Sequence, residues 1–156
     1  MIVLCRIDDR LVHGQVAFTW VPALGVECLV VANDKVAVDE FQKMALGLAA
    51  PRGVRQRILS LPDTVSFLND ASSAALKIML LVKDVADAAR LAGEVPALTS
   101  INFGGIRTRE GARLVSKAVA LTPDDIALAR ALLARGIALE VRQLPTDTRQ
   151  PLENLL

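Results

Sequence analysis

A chain of 156 residues with net charge +1 and 22% charged residues presents no basic face of the kind nucleic acid demands. Hydrophobic residues make up 53% of it but aromatics only 3%, with no tyrosine, so the core has to be built of Val, Leu, Ile and Ala, as in helix-covered parallel sheets. No apolar run approaches the ~18 residues of a membrane span, and nothing ahead of the first apolar run reads as a signal peptide.

Ile2–Ile7 reads as a strand. The polar segment Asp8–His13 follows, and a short helix is expected to start near His13 or Gly14 and to be closed by Trp20 and Pro22. Glu27–Ala32 is the second strand. Phe41, Met44, Ala45 and Leu48 recur at i, i+3, i+4 and i+7, which predicts a helix whose apolar face packs inward. Val54–Leu59 and Lys77–Val82 are strands, and the unbroken apolar run from Ile78 to Val82 suits a strand buried on both faces. Asp84 and Asp87 have capping-box spacing ahead of a helix for which Gly93 is the expected stop. Leu98–Asn102 is a strand, and Gly104-Gly105 reads as the turn after it. Lys117–Leu121 is a further strand. It leads into the best-marked helix, with Thr122 as cap, Pro123 in first position, Asp125 three after the cap and Gly136 as the stop. Ile137–Arg142 is the last strand. Cys5 and Cys28 each lie in an apolar run and read as buried free thiols, since two cysteines without spaced histidines cannot close a zinc site. The predicted class is α/β: a single doubly wound, mostly parallel open sheet of about seven strands, helices on both faces, one domain over residues 1–156.

That architecture gives the first strand's exit its meaning. Ligands of open parallel sheets bind outside the carboxyl ends of the strands, where loops run into helix N-termini. Asp8–His13 would be such a loop, and it holds the only histidine of the chain, His13. A helix opening at His13 or Gly14 would aim unpaired N–H groups at the same spot, and Gly14 leaves the backbone open to a phosphoryl group. Neutral imidazole is a good nucleophile at pH 7. Arg10 offers a fork of donors to phosphoryl oxygens. A carboxylate facing a phosphoryl dianion repels it, so Asp8 and Asp9 are expected to orient Arg10, cap the helix or hold an imidazole N–H, with Gln15 as a further residue behind the site. Changing either aspartate to asparagine is expected to impair transfer less than losing Arg10. Arg6 reads as a strand or interface charge, and Trp20 as a residue packed under the first helix.

Absences narrow the chemistry. There is no GxxxxGK[ST] loop, no GxGxxG after a strand, no second histidine and no serine in a nucleophile elbow. A single histidine with an arginine and no nucleotide motif points to a covalent carrier fed by a partner.

The run Arg6-Ile7-Asp8-Asp9-Arg10-Leu11-Val12-His13-Gly14-Gln15-Val16, with Trp20 following, resembles the active-site signature of the IIB components of the mannose/fructose/sorbose family of bacterial sugar phosphotransferase systems. Val30-Val31-Ala32-Asn33-Asp34, Ala50-Pro51-Arg52-Gly53-Val54, Asn102-Phe103-Gly104-Gly105 and Gly136-Ile137-Ala138-Leu139-Glu140-Val141-Arg142 fit the same pattern, so the resemblance runs over essentially the whole chain. Cys5 and Val12 are mild departures from it. The resemblance implies that His13 receives a phosphoryl group on Nδ1 from a phosphohistidine of a IIA protein and passes it to a sugar moving through membrane IIC/IID components. It implies that Arg10 stabilises the group in transit, and that no metal or nucleotide is needed. A chain opening at its first strand carries the expectation of a separate IIA donor, and the implied location is the cytoplasm at the inner face of the membrane. Two other classes compete. A receiver-like signalling domain would need a phosphoacceptor aspartate at the end of the third strand, and Arg57-Ile58-Leu59-Ser60-Leu61 supplies none. A catalytically silent or regulatory binding module of the same fold would keep the loop only to hold an anion.

Overall fold

The computed structural model describes residues 1–156. In chain order it contains β1 (Ile2–Asp8), a π-helical turn (Val16–Trp20) running into α1 (Val21–Leu24), β2 (Cys28–Ala32), α2 (Asp34–Ala37), α3 (Glu40–Leu48), β3 (Arg55–Leu59) and α4 (Leu61–Asn69). Then follow β4 (Ile78–Val82), α5 (Val85–Glu94), β5 (Ser100–Gly105), β6 (Arg113–Ser116), β7 (Val119–Leu121), α6 (Pro123–Ala134), β8 (Ala138–Val141) and β9 (Gln150–Pro151). Seven strands form one sheet in the order β3-β2-β4-β1-β5-β8-β9, parallel throughout except for β9, which pairs antiparallel with β8. β2 and β4 are buried along their whole length, as their uninterrupted aliphatic sequences require of strands covered on both faces.

The two faces are unequal. One carries a core cluster of 27 buried residues under α4, α5 and α6, and the other a cluster of 12 under the first helix and its neighbours, so the second face has less apolar cover. Where that cover runs out, beneath β5 and β8, the positions facing that side are the polar Asn102 and Glu140, with Asn102 Nδ2 donating to Glu140 Oε1 at 3.3 Å. α5 illustrates how the thick face is held. The Asp84 side chain accepts from the Asp87 amide at 2.9 Å, and Val85, Ala88, Leu91 and Ala92 form the buried stripe. Burying Leu91 and Val85 stabilises the fold by about 1.5–3 kcal/mol each. Thr122 and Asp125 form the reciprocal capping box expected for α6, and Gly136 adopts φ +83° after it.

Five expectations are corrected. Lys117–Leu121 supplies only β7, and it lies outside the main sheet: it pairs antiparallel with β6, a strand whose exposed Arg113 and Leu114 gave no alternating signal. The seventh place belongs to the short edge strand β9. Gly104 and Gly105 are the last residues of β5, not a turn. Gly93 lies inside α5, which ends at Glu94 with Val95 as its C-cap. Pro22 does not close the first helix: the Val21 amide donates to the Val16 carbonyl across a five-residue π step, Pro22 opens α1, and Gly25 at φ +62° ends it.

The fifth correction concerns α3. No residue of α3 is buried, and Phe41, Met44 and Leu48 are 80%, 67% and 87% exposed. The helix touches the thin-face core through Leu46, and the Leu46 carbonyl accepts from Gln56 of the edge strand β3. The 3.6-residue periodicity is real, but it marks an outward stripe. Periodicity defines a face and says nothing about which way it points.

In the first turn of α5, burial in the company of Asp84 and Asp34 pushes the Asp87 carboxyl up to about 6 from its ordinary 3.8. The folded state therefore keeps a proton that the unfolded chain releases near pH 4, so this group removes stability as pH rises from 4 to 6. Asp87→Asn is expected to raise Tm at pH 7, with the difference from the parent vanishing near pH 4. Thermal unfolding at the two pH values checks it, and an unchanged Tm at pH 7 would show that Asp87 is not strained.

Candidate active site

β1 alternates its side chains between the two faces. Cys5 and Ile7 enter the thick core, while Leu4, Arg6 and Asp8 point toward the first helix. Arg6 and Asp8 are both fully buried. The Arg6 guanidinium donates to Asn102 Oδ1 at 2.7 Å, to the Arg142 carbonyl at 3.0 Å and to Asp8 Oδ2 at 3.5 Å, and lies 5.3 Å from the centre of the buried Trp20 ring. Burial pushes the Arg6 pKa down, and the Asp8 carboxylate opposes that shift. The reason for glycine at position 104 is steric: a Cβ there would overlap the Arg6 guanidinium. Gly104 stays in the strand because an arginine from the neighbouring strand fills the space its side chain would take.

The chain turns immediately after Asp8. The Leu11 amide donates to the Asp8 carbonyl at 2.9 Å, and Leu11 takes φ +58°, a left-handed conformation costly for a branched residue. Packing holds it there, because Leu11 and Val12 are buried in the thin-face core with Val16 and Trp20. The turn brings Arg10 and His13 back onto Asp8. Asp8 Oδ1 accepts from the Arg10 amide at 3.1 Å and from Arg10 Nε at 3.2 Å, and Oδ2 accepts from Arg10 Nη2 at 3.4 Å. Asp8 Oδ2 also lies 2.8 Å from His13 Nε2. Burial alone would raise the Asp8 pKa, but the bonds from His13 and Arg10 outweigh it, and the carboxyl is held below its ordinary value. An ionised Asp8 can only accept, so Nε2 is the protonated nitrogen. That leaves Nδ1 with a lone pair and no hydrogen-bond partner in the protein. Asp8 is thus one acceptor shared by two arginines and the imidazole.

The His13 carbonyl accepts from the Ala17 amide at 3.0 Å, so the helix opens at the histidine and the amides of Gly14, Gln15 and Val16 precede the first intrahelical bond. Gly14 is exposed, and a Cβ there would meet only the Phe18 ring at ordinary contact distance. The protein's own packing therefore does not demand glycine at that position. The arginine side chain at position 10 is 48% exposed, with Nη1 unspent.

Asp9 is placed differently from what the sequence led one to expect. The Asp9 side chain hydrogen-bonds to neither Arg10 nor His13. Its Oδ2 accepts from the Arg107 amide at 2.9 Å and Arg107 Nε at 3.1 Å, and its own amide donates to the Gly105 carbonyl at 2.9 Å. Asp9 therefore ties the loop after β5 to the loop after β1. Gln15 Nε2 and Trp20 Nε1 both donate to the Gln143 carbonyl, at 3.3 and 2.9 Å, bracing the first helix against the segment after β8, and the Gln143 side chain donates to the Gly104 carbonyl. Sequence reasoning missed Asn102, Arg107, Arg142 and Gln143, and undervalued Arg6. A polar Asn102 followed by Gly104 in a β-rich run was the available signal. Nothing local marks Arg107 or Gln143. No group of three His, Cys, Asp or Glu side chains is placed to hold a metal ion. Cys5 and Cys28 are buried and unpaired, and burial pushes the Cys5 thiol up to about 12.

The site lies at the carboxyl edge of β1 and β5, adjacent strands whose connections leave to opposite faces, which is the crevice where open α/β sheets bind ligands. Comparisons with known proteins agree with the geometry. The family model described as PTS system sorbose subfamily IIB component matches residues 2–156. The chain is 37% identical over its full length to the mannose-specific EIIAB component of Escherichia coli K12 and covers 48% of it, so it spans about half the length of that relative. It is 30% identical to the fructose-specific EIIB component of Bacillus subtilis over 99% of this chain and 95% of that one. Among solved structures, the IIBSor domain of the sorbose permease from Klebsiella pneumoniae superposes with TM-score 0.93 at 30% identity, covering 99% of this chain and 95% of that one. An N-acetylgalactosamine IIB component from Streptococcus pyogenes superposes with TM-score 0.91 at 26% identity, covering 99% and 97%.

Proposed function

Because the chain belongs to the sorbose subfamily of phosphotransferase-system IIB components, we propose that it is a phosphoryl carrier: it takes a phosphoryl group from a phosphorylated IIA partner onto His13 and hands it to a hexose-class sugar entering through membrane IIC/IID components. The observation that supports this best is the single carboxylate of Asp8 holding His13 Nε2 at 2.8 Å while it clamps Arg10. The clamp fixes the tautomer, so the Nδ1 lone pair is the nucleophile.

In this reading Nδ1 attacks phosphorus in line as the bond to the donor's imidazole nitrogen breaks, and the donor ring keeps the electron pair. The Nε2 proton stays on His13, where Asp8 offsets the positive charge that a phosphorylated ring develops. The free end of Arg10 and the first-turn amides, Gly14 among them, meet the phosphoryl oxygens. Asp8 is too deeply engaged to meet the dianion directly, which removes the repulsion an exposed carboxylate would bring. The acceptor hydroxyl then attacks the same phosphorus, its O–H proton passing by way of a phosphoryl oxygen to solvent, and Nδ1 leaves with its electron pair, which restores the starting tautomer. No helix of the chain is long and apolar enough to cross a membrane. In this reading the protein therefore works at the membrane's inner face by docking on its permease partners.

The test is direct. Mixed with its phosphorylated IIA component, the protein is expected to gain one phosphoryl group that is acid-labile, base-stable and bonded to Nδ1 of His13 by NMR. A group stable to acid, or attached elsewhere, would overturn the assignment, and no uptake at all would favour the non-catalytic binding module.

A further inference from the structure

Asp8 and Asp9 make the same clamp on two different arginines. Asp8 Oδ1 accepts the main-chain N–H and Nε of Arg10, and Asp9 Oδ2 accepts the main-chain N–H and Nε of Arg107. The first clamp serves the imidazole. The second has no such duty, and it fixes an arginine that is 79% exposed, with both terminal nitrogens unspent. Arg107 opens on a cavity of about 440 Å³ that it shares with Arg10, Lys117, Ile106 and Leu114. Asp9 is the one carboxylate lining it, and both of its bonds go to Arg107. From Arg107 to Lys117 the chain carries Arg107, Arg109, Arg113 and Lys117 against the single acid Glu110, in a protein whose net charge is +1. Arg109 is neutralised by Asp125, whereas Lys117 forms no ion pair.

Resting on the carrier reading above, we propose that this cavity is a second anion seat, distinct from the phosphoryl position, in which Arg107 and Lys117 receive acidic side chains of the phosphorylated donor protein and set its orientation on His13. The cations are exposed and the walls open, which suits a protein side chain and not a small molecule that needs enclosure. Exposed charges at the rim of a site act chiefly on encounter rate and on choice of partner. A soluble donor that carries a dianion gains most from such a field. The clamp keeps the arginine extended before the donor arrives, so little side-chain entropy is lost on docking.

The experiment compares the parent with the double variant Arg107→Ala, Lys117→Ala on two phosphoryl donors. One is the phosphorylated IIA component. The other is phosphoramidate, which passes its phosphoryl group to an imidazole nitrogen with release of ammonia and has no docking surface. With the IIA donor, kcat/KM is expected to fall about tenfold through KM at low salt, with a flatter dependence on ionic strength. With phosphoramidate the two proteins are expected to react at the same rate. Equal loss with both donors would place the cations on the phosphoryl group itself and overturn the seat, as would no change with either. Failure of the parent to accept from either donor would sink the carrier reading and leave the distinction plain.

Discussion

His13→Ala is expected to accept no phosphoryl group from either donor, because no second nucleophile stands in the site. The protein has no other histidine, and both cysteines are buried, Cys5 with its thiol pushed far from the thiolate form. Loss of the imidazole removes one bond to Asp8 and leaves those from Arg10 and Arg6 in place. The stability change should therefore stay at about 1.5–3 kcal/mol, the contribution of one hydrogen bond to a charged group. Mass spectrometry of intact protein after exposure to the donor, with urea unfolding as the control, separates lost chemistry from lost fold. A phosphoryl group on the folded variant would mean that His13 is not the carrier. Arg10→Ala should remain folded and transfer more slowly, since Arg10 is half exposed and its removal leaves Asp8 bound to His13 and Arg6.

Asp8→Asn has the next largest expected effect, and it changes both stability and chemistry. The sequence alone suggested that neither aspartate matters as much as Arg10, but the structure separates the two. Asn in place of Asp8 leaves the buried Arg6 guanidinium without its adjacent anion, and breaking a buried pair in this way costs about 3–5 kcal/mol. It also frees the imidazole to take either tautomer. When the carboxylate that orients a catalytic imidazole is removed elsewhere, rates fall by about 10⁴. A loss of at least ~10² in transfer rate is the expectation here. The pH dependence carries the same signature. The folded Asp8 pKa is depressed, so its stabilisation is complete above the ordinary carboxylate value and is lost as pH falls below about 4 through the folded pKa. Urea titrations from pH 7 down to 3 should show that acid-dependent loss in the parent and a smaller one in the variant. An Asp8→Asn protein with parental stability and rate would show that the shared carboxylate is incidental.

Much of the fold was legible. Six of the seven main-sheet strands were read from the sequence, β2 and β4 most plainly, as aliphatic runs, because burial on both faces leaves little choice of residue. The cap of α6 was readable to the residue because capping is local chemistry between Thr122, Pro123 and Asp125. β9, β6 and the outward face of α3 were not legible. Two residues of edge strand carry no periodicity, and a helix's apolar stripe does not say whether a core or solvent lies opposite. Of the site, His13, Arg10 and Asp8 sit in one short segment, so their proximity could be read from the chain. Arg6 was misjudged because its partners Asn102 and the Arg142 carbonyl lie 96 and 136 residues away.

By itself the sequence determined that one imidazole and one arginine stand in the loop at the carboxyl end of the first strand of a parallel sheet, and that no nucleotide or metal motif accompanies them. Only the tertiary structure decided what the two aspartates do. Period-two alternation sends Asp8 inward, against Arg6, Arg10 and His13, and sends Asp9 across the crevice to Arg107. Adjacent residues of identical chemistry acquire different roles because one side chain enters a buried network and the other leaves it. Asp9's partner Arg107 comes from the loop after β5, and the groups that hold Arg6 against Asp8, Asn102 and the Arg142 carbonyl, come from β5 and the segment after β8, held beside β1 by sheet pairing that no local pattern encodes.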